Sequence, residues 1–316
     1  MSFDVISLGE ALVDFLPEKA GARVRDVEIW RKCLGGAPAN VVVGISRLGG
    51  KAAMCGVTGE DELGHFITEE LAREGVDVAH IRHTPLGKTG IGFISLTATG
   101  ERSFLFYRLQ AAEFQLGLAD IDHAFLRSGK VLHLGTNSLL LPSAREASLA
   151  AAKGARDAGQ IVSCDPNLRL HLWKEPGELR ALLDQLLPHC TLVKLSDDEM
   201  EFVTGETTPK AALKRLRAQG VAVPIITLGP KGAVLLAEDF VEVKAPVVQV
   251  VDTTGAGDGF MAGLLFQATR VASTRAQVEA LTSQELEPMA RFGCRVGARV
   301  VTRLGAIAGL PRLNEL

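Results

Sequence analysis

The stretch Val250-Val251-Asp252-Thr253-Thr254-Gly255-Ala256-Gly257-Asp258-Gly259-Phe260 reads as an apolar strand feeding a glycine-rich turn and then a helix. Phe260, Leu264 and Ala268 share one stripe at helical spacing, with Met261 and Leu265 beside it, so the helix is predicted to begin near Gly255. The first amides of a helix lack internal partners, and the helix dipole adds partial positive charge there. Gly255, Ala256 and Gly257 are small enough to let an anion approach those amides. Asp258 then falls in the first turn, where a carboxylate can accept a proton from a hydroxyl attacking that anion. A plain glycine turn with an acid favouring the dipole is the alternative. The order strand, turn, acid, helix weighs against it. No Gly-Lys-Ser/Thr follows, so this is not a Walker loop, and G-x-G-x-x-G is absent too.

Working outward, short apolar runs alternate with amphipathic ones. Strands are predicted at 5–8, 52–57, 130–134, 161–164, 192–195, 223–228 and 232–237, and helices at 39–48, 63–74, 143–158, 178–187, 255–268 and 285–302. That alternation implies an α/β fold: a doubly wound, mostly parallel sheet flanked by helices, with ligands bound beyond the carboxyl ends of the strands. One segment departs from it. Residues 89–98 and 102–108 form a hairpin pattern around Thr99-Gly100-Glu101, with no room for a helix. It is either an antiparallel extension of the main sheet or a small sheet of its own. One domain over residues 1–316 with a β insertion is the simplest organisation.

Composition narrows the partners. Of 316 residues 47% are hydrophobic and 22% charged, with a net charge of −3, so a large core is possible and the basic excess of a nucleic-acid binder is missing. No apolar run approaches the ~20 residues that span a bilayer, and Met1 to Glu10 carry no signal-peptide pattern. Cys33, Cys55, Cys164, Cys190 and Cys294 are widely spaced, which fits free thiols in a cytoplasmic chain rather than a zinc site or a disulfide framework. The seven histidines make no paired-ligand spacing.

A second glycine segment, Leu34-Gly35-Gly36-Ala37-Pro38-Ala39-Asn40, precedes a helix that Pro38 can start. Asn40 offers both a donor and an acceptor, as a polyol requires. Taken alone, it is better read as an ordinary glycine turn before a helix. Together with the Asp258 segment, it makes the chain resemble the ribokinase-like (PfkB) carbohydrate kinases over residues 9–311, with a departure at Val42, where a small residue is usual. The resemblance implies a β-sheet lid over the sugar, built from residues 10–34 and 85–112, and a homodimer formed through it.

Several segments resemble the fructokinase branch: Gly9-Glu10-Ala11-Leu12-Val13-Asp14-Phe15, Gly100-Glu101-Arg102-Ser103-Phe104-Leu105-Phe106-Tyr107-Arg108, and Asp165-Pro166-Asn167-Leu168-Arg169 followed by Leu172-Trp173. The resemblance implies that Asp14, Gly35, Gly36, Asn40, Arg108, Asn167 and Arg169 surround the sugar, and that Asp258 is the catalytic base beside an anion hole at Gly255, Ala256 and Gly257. It places Lys194, Thr227, Gly229, Gly232 and Cys294 near ATP; at Cys294 many relatives carry Asn. It implies Glu199 as a magnesium residue acting largely through water, and Asp252 with Thr254 as a monovalent-cation site, with K⁺ the candidate ion. A capping box between Ser196 and Glu199 explains that pair equally well. The implied reaction is phosphoryl transfer from ATP to D-fructose at O6. The alternatives are 2-keto-3-deoxygluconate or aminoimidazole riboside as acceptor, or a regulator that binds without turnover.

Overall fold

The computed structural model describes residues 2–18, 21–96, 102–108 and 110–316. Thirteen strands are seen among them: β1 (Phe3–Leu8), β2 (Leu12–Pro17), β3 (Trp30–Gly35), β4 (Ala52–Gly59), β5 (Asp77–Thr84), β6 (Ile91–Leu96), β7 (Arg102–Tyr107), β8 (Gly129–Leu134), β9 (Ile161–Cys164), β10 (Leu192–Ser196), β11 (Val223–Thr227), β12 (Ala233–Leu236) and β13 (Phe240–Val243). Nine form one sheet in the order β13-β12-β11-β10-β9-β8-β1-β4-β5. All pairs from β11 to β5 are parallel, and β12 and β13 add an antiparallel edge.

The chain leaves the inner strand β1 towards β4 and β5, then returns to its other side at β8. That reversal opens a crevice at the carboxyl ends of β1 and β8. The inner strands are buried on both faces: in β1, Val5 joins the apolar cluster on one side and Ile6 the cluster on the other. The first face carries the helices Ala37–Arg47, Glu62–Arg73, Ala256–Val271 and Ser283–Val300. The second carries Pro142–Asp157, Pro176–Leu186, Asp197–Thr204 and Pro209–Ala218. The α/β class and the mostly parallel, doubly wound sheet are as the alternation predicts. Among the described residues no helix is long and apolar enough to cross a membrane.

The hairpin is part of a separate four-stranded sheet, β3-β2-β6-β7, so of its two predicted settings the small sheet is the one found. Its turn at Thr99-Gly100-Glu101 lies outside the described residues. Asp14 stands opposite Cys33 and Gly92, and Gly92 opposite Phe106, so one rung carries Asp14, Gly92 and Phe106 on the same face. The next rung, with Phe15 and Phe93, faces the other way, and these two rings stack at 4.9 Å.

One expectation is corrected. No strand leads into the Asp258 helix: residues 244–250 run without secondary structure, and Val247, Val250 and Val251 are exposed. A strand needs a neighbour for its N–H and C=O groups, and β13 already closes that edge of the sheet. The N–H groups of Val251 and Asp252 donate instead to Val301 O, at 2.8 and 3.2 Å. Strands β2, β3, β5 and β13 and the helices Asp197–Thr204 and Pro209–Ala218 carry too much charge, or are too short, to stand out as apolar periods.

Candidate active site

Two helix starts and two glycine turns meet above the crevice. Gly255 adopts a left-handed conformation (φ 79°) that favours glycine, and it caps the helix Ala256–Val271. The Ala256 N–H donates to Thr253 O at 3.3 Å, whereas no backbone carbonyl among the described residues accepts the amides of Gly255, Gly257 or Asp258. The amides left open at this helix start are therefore those of Gly255, Gly257 and Asp258.

Asp258 is buried in the first turn and accepts a hydrogen bond from Asn40 Nδ2 at 2.7 Å. Burial pushes its carboxyl up to about 6, and the Asp165 carboxylate adds to the rise; Asn40, Lys194 and Arg169 oppose it. Such a group is ionised at neutral pH yet close enough to it to take up a proton readily. Asn40 Oδ1, also buried, has no partner among the described residues.

Gly36 takes φ 103° at the cap of the helix Ala37–Arg47, where a Cβ would stand 2.6 Å from Glu10 O. Gly35 does not line the cavity, but a Cβ there would lie 2.2 Å from Asp14 Oδ2. Its missing side chain is what admits the Asp14 carboxylate. Burial pushes Asp14 up to about 7, against the pull of Arg108 and Arg169. Arg108 is itself buried and donates from Nε to Glu113 Oε1 at 2.8 Å and from Nη2 to Asn137 O at 3.2 Å. Asn167 has φ 48°, and its Oδ1 accepts from Arg169 Nη1 at 2.8 Å.

Lys194 Nζ donates to Asp165 Oδ2 at 2.7 Å, both groups buried. Burial works against the charge on Lys194, but the Asp165 and Glu199 carboxylates outweigh it and hold the ammonium above its ordinary range. Glu199 accepts from Leu168 N at 2.5 Å with Oε1 and from Ser196 N at 2.8 Å with Oε2. It therefore ties the 165–169 loop to a helix start, and the backbone half of the expected capping pair is present. Asp252 accepts from the Thr254 amide and hydroxyl at 2.9 and 2.7 Å and from Gly305 N at 2.9 Å. It braces the turn and, like Gly35, is absent from the cavity wall.

A cavity of about 810 Å³ joins these parts, within the usual range for a small-molecule site. Asp14, Gly36, Asn40, Arg108, Asn167, Arg169 and Asp258 line it, and so do Lys194, Glu199, Thr227, Gly229, Gly232, Thr254 and Cys294. The sequence reading missed Glu10 and Asn137, the apolar strip at Val247, Val248 and Val250, and Asp165 as the partner of Lys194. An isolated acid in the apolar run Leu8-Gly9-Glu10-Ala11-Leu12 was the available signal for the first.

The pfkB family carbohydrate kinase model matches residues 2–313. The chain belongs to the PfkB family of carbohydrate kinases. This kinase is thus a phosphotransferase acting on a sugar hydroxyl, as its two signature segments imply. It is 36% identical over 313 residues to fructokinase-2 of Solanum lycopersicum, covering 98% of this chain and 94% of that one. Among solved structures, the fructokinase of Xylella fastidiosa with bound ATP superposes with a TM-score of 0.91 at 30% identity, covering all of this chain and 97% of that one. A double mutant of the Vibrio cholerae O395 fructokinase, bound to fructose, ADP and potassium ion, gives 0.86 at 32% identity, covering 98% and 96%.

Proposed function

We propose that this kinase transfers the γ-phosphoryl group of ATP to O6 of D-fructose. The observation that carries the reading is the placing of a buried, Asn40-held Asp258 beside open helix-start amides, in one cavity with Asp14. Asp258 takes the proton from the O6 hydroxyl. The oxygen attacks the γ-phosphorus, the bond to the ADP oxygen breaks, and the amides of Gly255, Gly257 and Asp258 stabilise charge on the moving group. Asp14, Gly36 and Asn40 orient the sugar, with Arg108, Asn167 and Arg169 at its edge. The relatives named fructokinase, one of them bound to fructose, favour this acceptor.

Lys194, Thr227, Gly229, Gly232 and Cys294 belong to the nucleotide end of the cavity. Magnesium fits as an ion carried by the nucleotide: among the described residues no three acidic, His or Cys side chains cluster as metal ligands. Glu199 retains lone pairs on both oxygens for magnesium-bound water. When bound, the ion neutralises phosphate charge. Potassium at Asp252 and Thr254 is the matching assignment for a monovalent ion, supported by the potassium in the Vibrio relative.

The four-stranded sheet serves as the lid within a single kinase domain, since Asp14 and Phe106 project from it into the cavity. Its closure limits water attack on ATP. Tyr107 and Leu105 are exposed on the face that also carries Phe15 and Phe93, which suits pairing with a second copy. The five thiols are free, in keeping with a cytoplasmic setting. Steady-state comparison of D-fructose, 2-keto-3-deoxygluconate, ribose and aminoimidazole riboside tests the acceptor. Fructose should have the highest kcat/KM, and a clear preference for the keto-acid would overturn the assignment.

A further inference from the structure

Glu10 follows the inner strand β1 and is 1% exposed, yet the residue borders the cavity. Its Oε2 has no hydrogen-bond partner among the described residues. The charged groups facing it are Arg108 at the end of β7, Glu113 in the following turn and Asp258 in the helix start. Arg108 is already engaged with Glu113 and with the Asn137 carbonyl. The nearby cation therefore leaves Glu10 Oε2 unpaired.

A carboxyl group buried without a partner is costly, and interiors generally avoid it. Burial pushes Glu10 up to about 7, so near neutrality the group exchanges between an acid that donates and a carboxylate that accepts. A sugar hydroxyl, itself donor and acceptor, complements both forms. An anionic group does not, with Glu113 and Asp258 close by.

We propose that Glu10 is a sugar-contacting residue, its carboxyl group turning to bind a hydroxyl of the neutral acceptor other than the one phosphorylated. This rests on the reading that the Asp14 end of the cavity takes the sugar. Glu10 then selects for a hydroxyl at one ring position, a discrimination that hydrogen-bonding sites make strongly.

The test measures KM and kcat for D-fructose and its 1-, 3- and 4-deoxy analogues at saturating ATP and magnesium. The variants are Glu10→Met, Glu10→Gln and, as a control, Asp14→Asn. Methionine removes both oxygens and needs no partner. Glu10→Met should raise the fructose KM about 10-fold and leave the ATP KM unchanged. For one analogue its effect should vanish, because the hydroxyl it served is gone. An equal effect on fructose and every analogue overturns the inference. If the Met variant does not fold, Glu10→Gln replaces it: its KM ratios must shift at one analogue, and ratios equal to wild type overturn the inference. Asp14→Asn separates the two levels. If it too leaves the fructose KM unchanged, the sugar-end reading falls with Glu10; if it raises that KM while Glu10 fails, Glu10 alone is wrong.

Discussion

Asn40 and Asp258 lie 218 residues apart in sequence and share a 2.7 Å hydrogen bond. One turn further along each helix, Gly44 meets Ala262 so closely that a Cβ on the glycine would stand 2.6 Å from the alanine methyl. The close contact of the two helices is what brings donor and carboxylate together. A side chain at Gly44 would part the helices and the hydrogen-bonded pair with them.

Asp258→Asn should keep the fold and nucleotide affinity and lose turnover. The amide matches the carboxylate in shape but is a very poor proton acceptor. A fall in kcat of about 10²–10⁴-fold is expected. A variant within a few-fold of wild type would rule Asp258 out as the base.

The acid limb of the kcat/KM profile should follow the same group. The base must be ionised, and Asp258 sits at about 6. Activity should rise about tenfold per pH unit below that value and level off above it. Asn40 holds the carboxyl down by donating to it. Asn40→Ala should therefore move the limb to higher pH, as well as raising the sugar KM. A limb that stays in place would show that the hydrogen bond does not govern the ionisation.

Much of this was legible in the sequence because apolar periodicity fixes buried strands and helices, and glycines with an acid at a helix start mark an anion site. Pairings between distant segments were not. Asn40 with Asp258, Lys194 with Asp165 and Arg108 with Glu113 depend on how the layers pack, and no local pattern encodes them. Glu10 was passed over because a single acid beside a strand end looks like a turn residue until its burial is known. The valine run at 247–251 misled for the converse reason: its β-branched residues suit a strand, but no strand edge is left for it to join.

Glu199→Gln should act twice. The carboxylate accepts from Leu168 N and Ser196 N with separate oxygens, and an amide can keep only one of those bonds. Loss of one should cost roughly 1 kcal/mol and lower Tm by about 2 °C. The magnesium concentration for half-maximal rate should also rise, with the sugar KM unchanged. A lower Tm with an unaltered magnesium titration would reduce Glu199 to its capping role.

Asp14→Asn should stabilise the ligand-free protein, and increasingly so as pH rises. Asp14 has a folded value of about 7 against an ordinary 3.8. Between those values the folded protein holds a proton that the unfolded chain has released. The stability linked to this proton is complete below about 4 and is lost as pH climbs through about 7. Asparagine has nothing to ionise and keeps the neutral shape. The Tm difference, variant minus wild type, should thus be flat below about pH 4, grow between about pH 4 and 7, and level off by about pH 8. Melting curves without sugar or nucleotide measure it. Glu10, raised in the same direction, is present in both proteins and largely cancels. A difference that stays flat across this range would mean that Asp14 is already ionised in the folded protein. The carboxylate held open by Gly35 would then meet the sugar as an acceptor only, and Asp14→Asn would weaken fructose binding equally at pH 6 and pH 8.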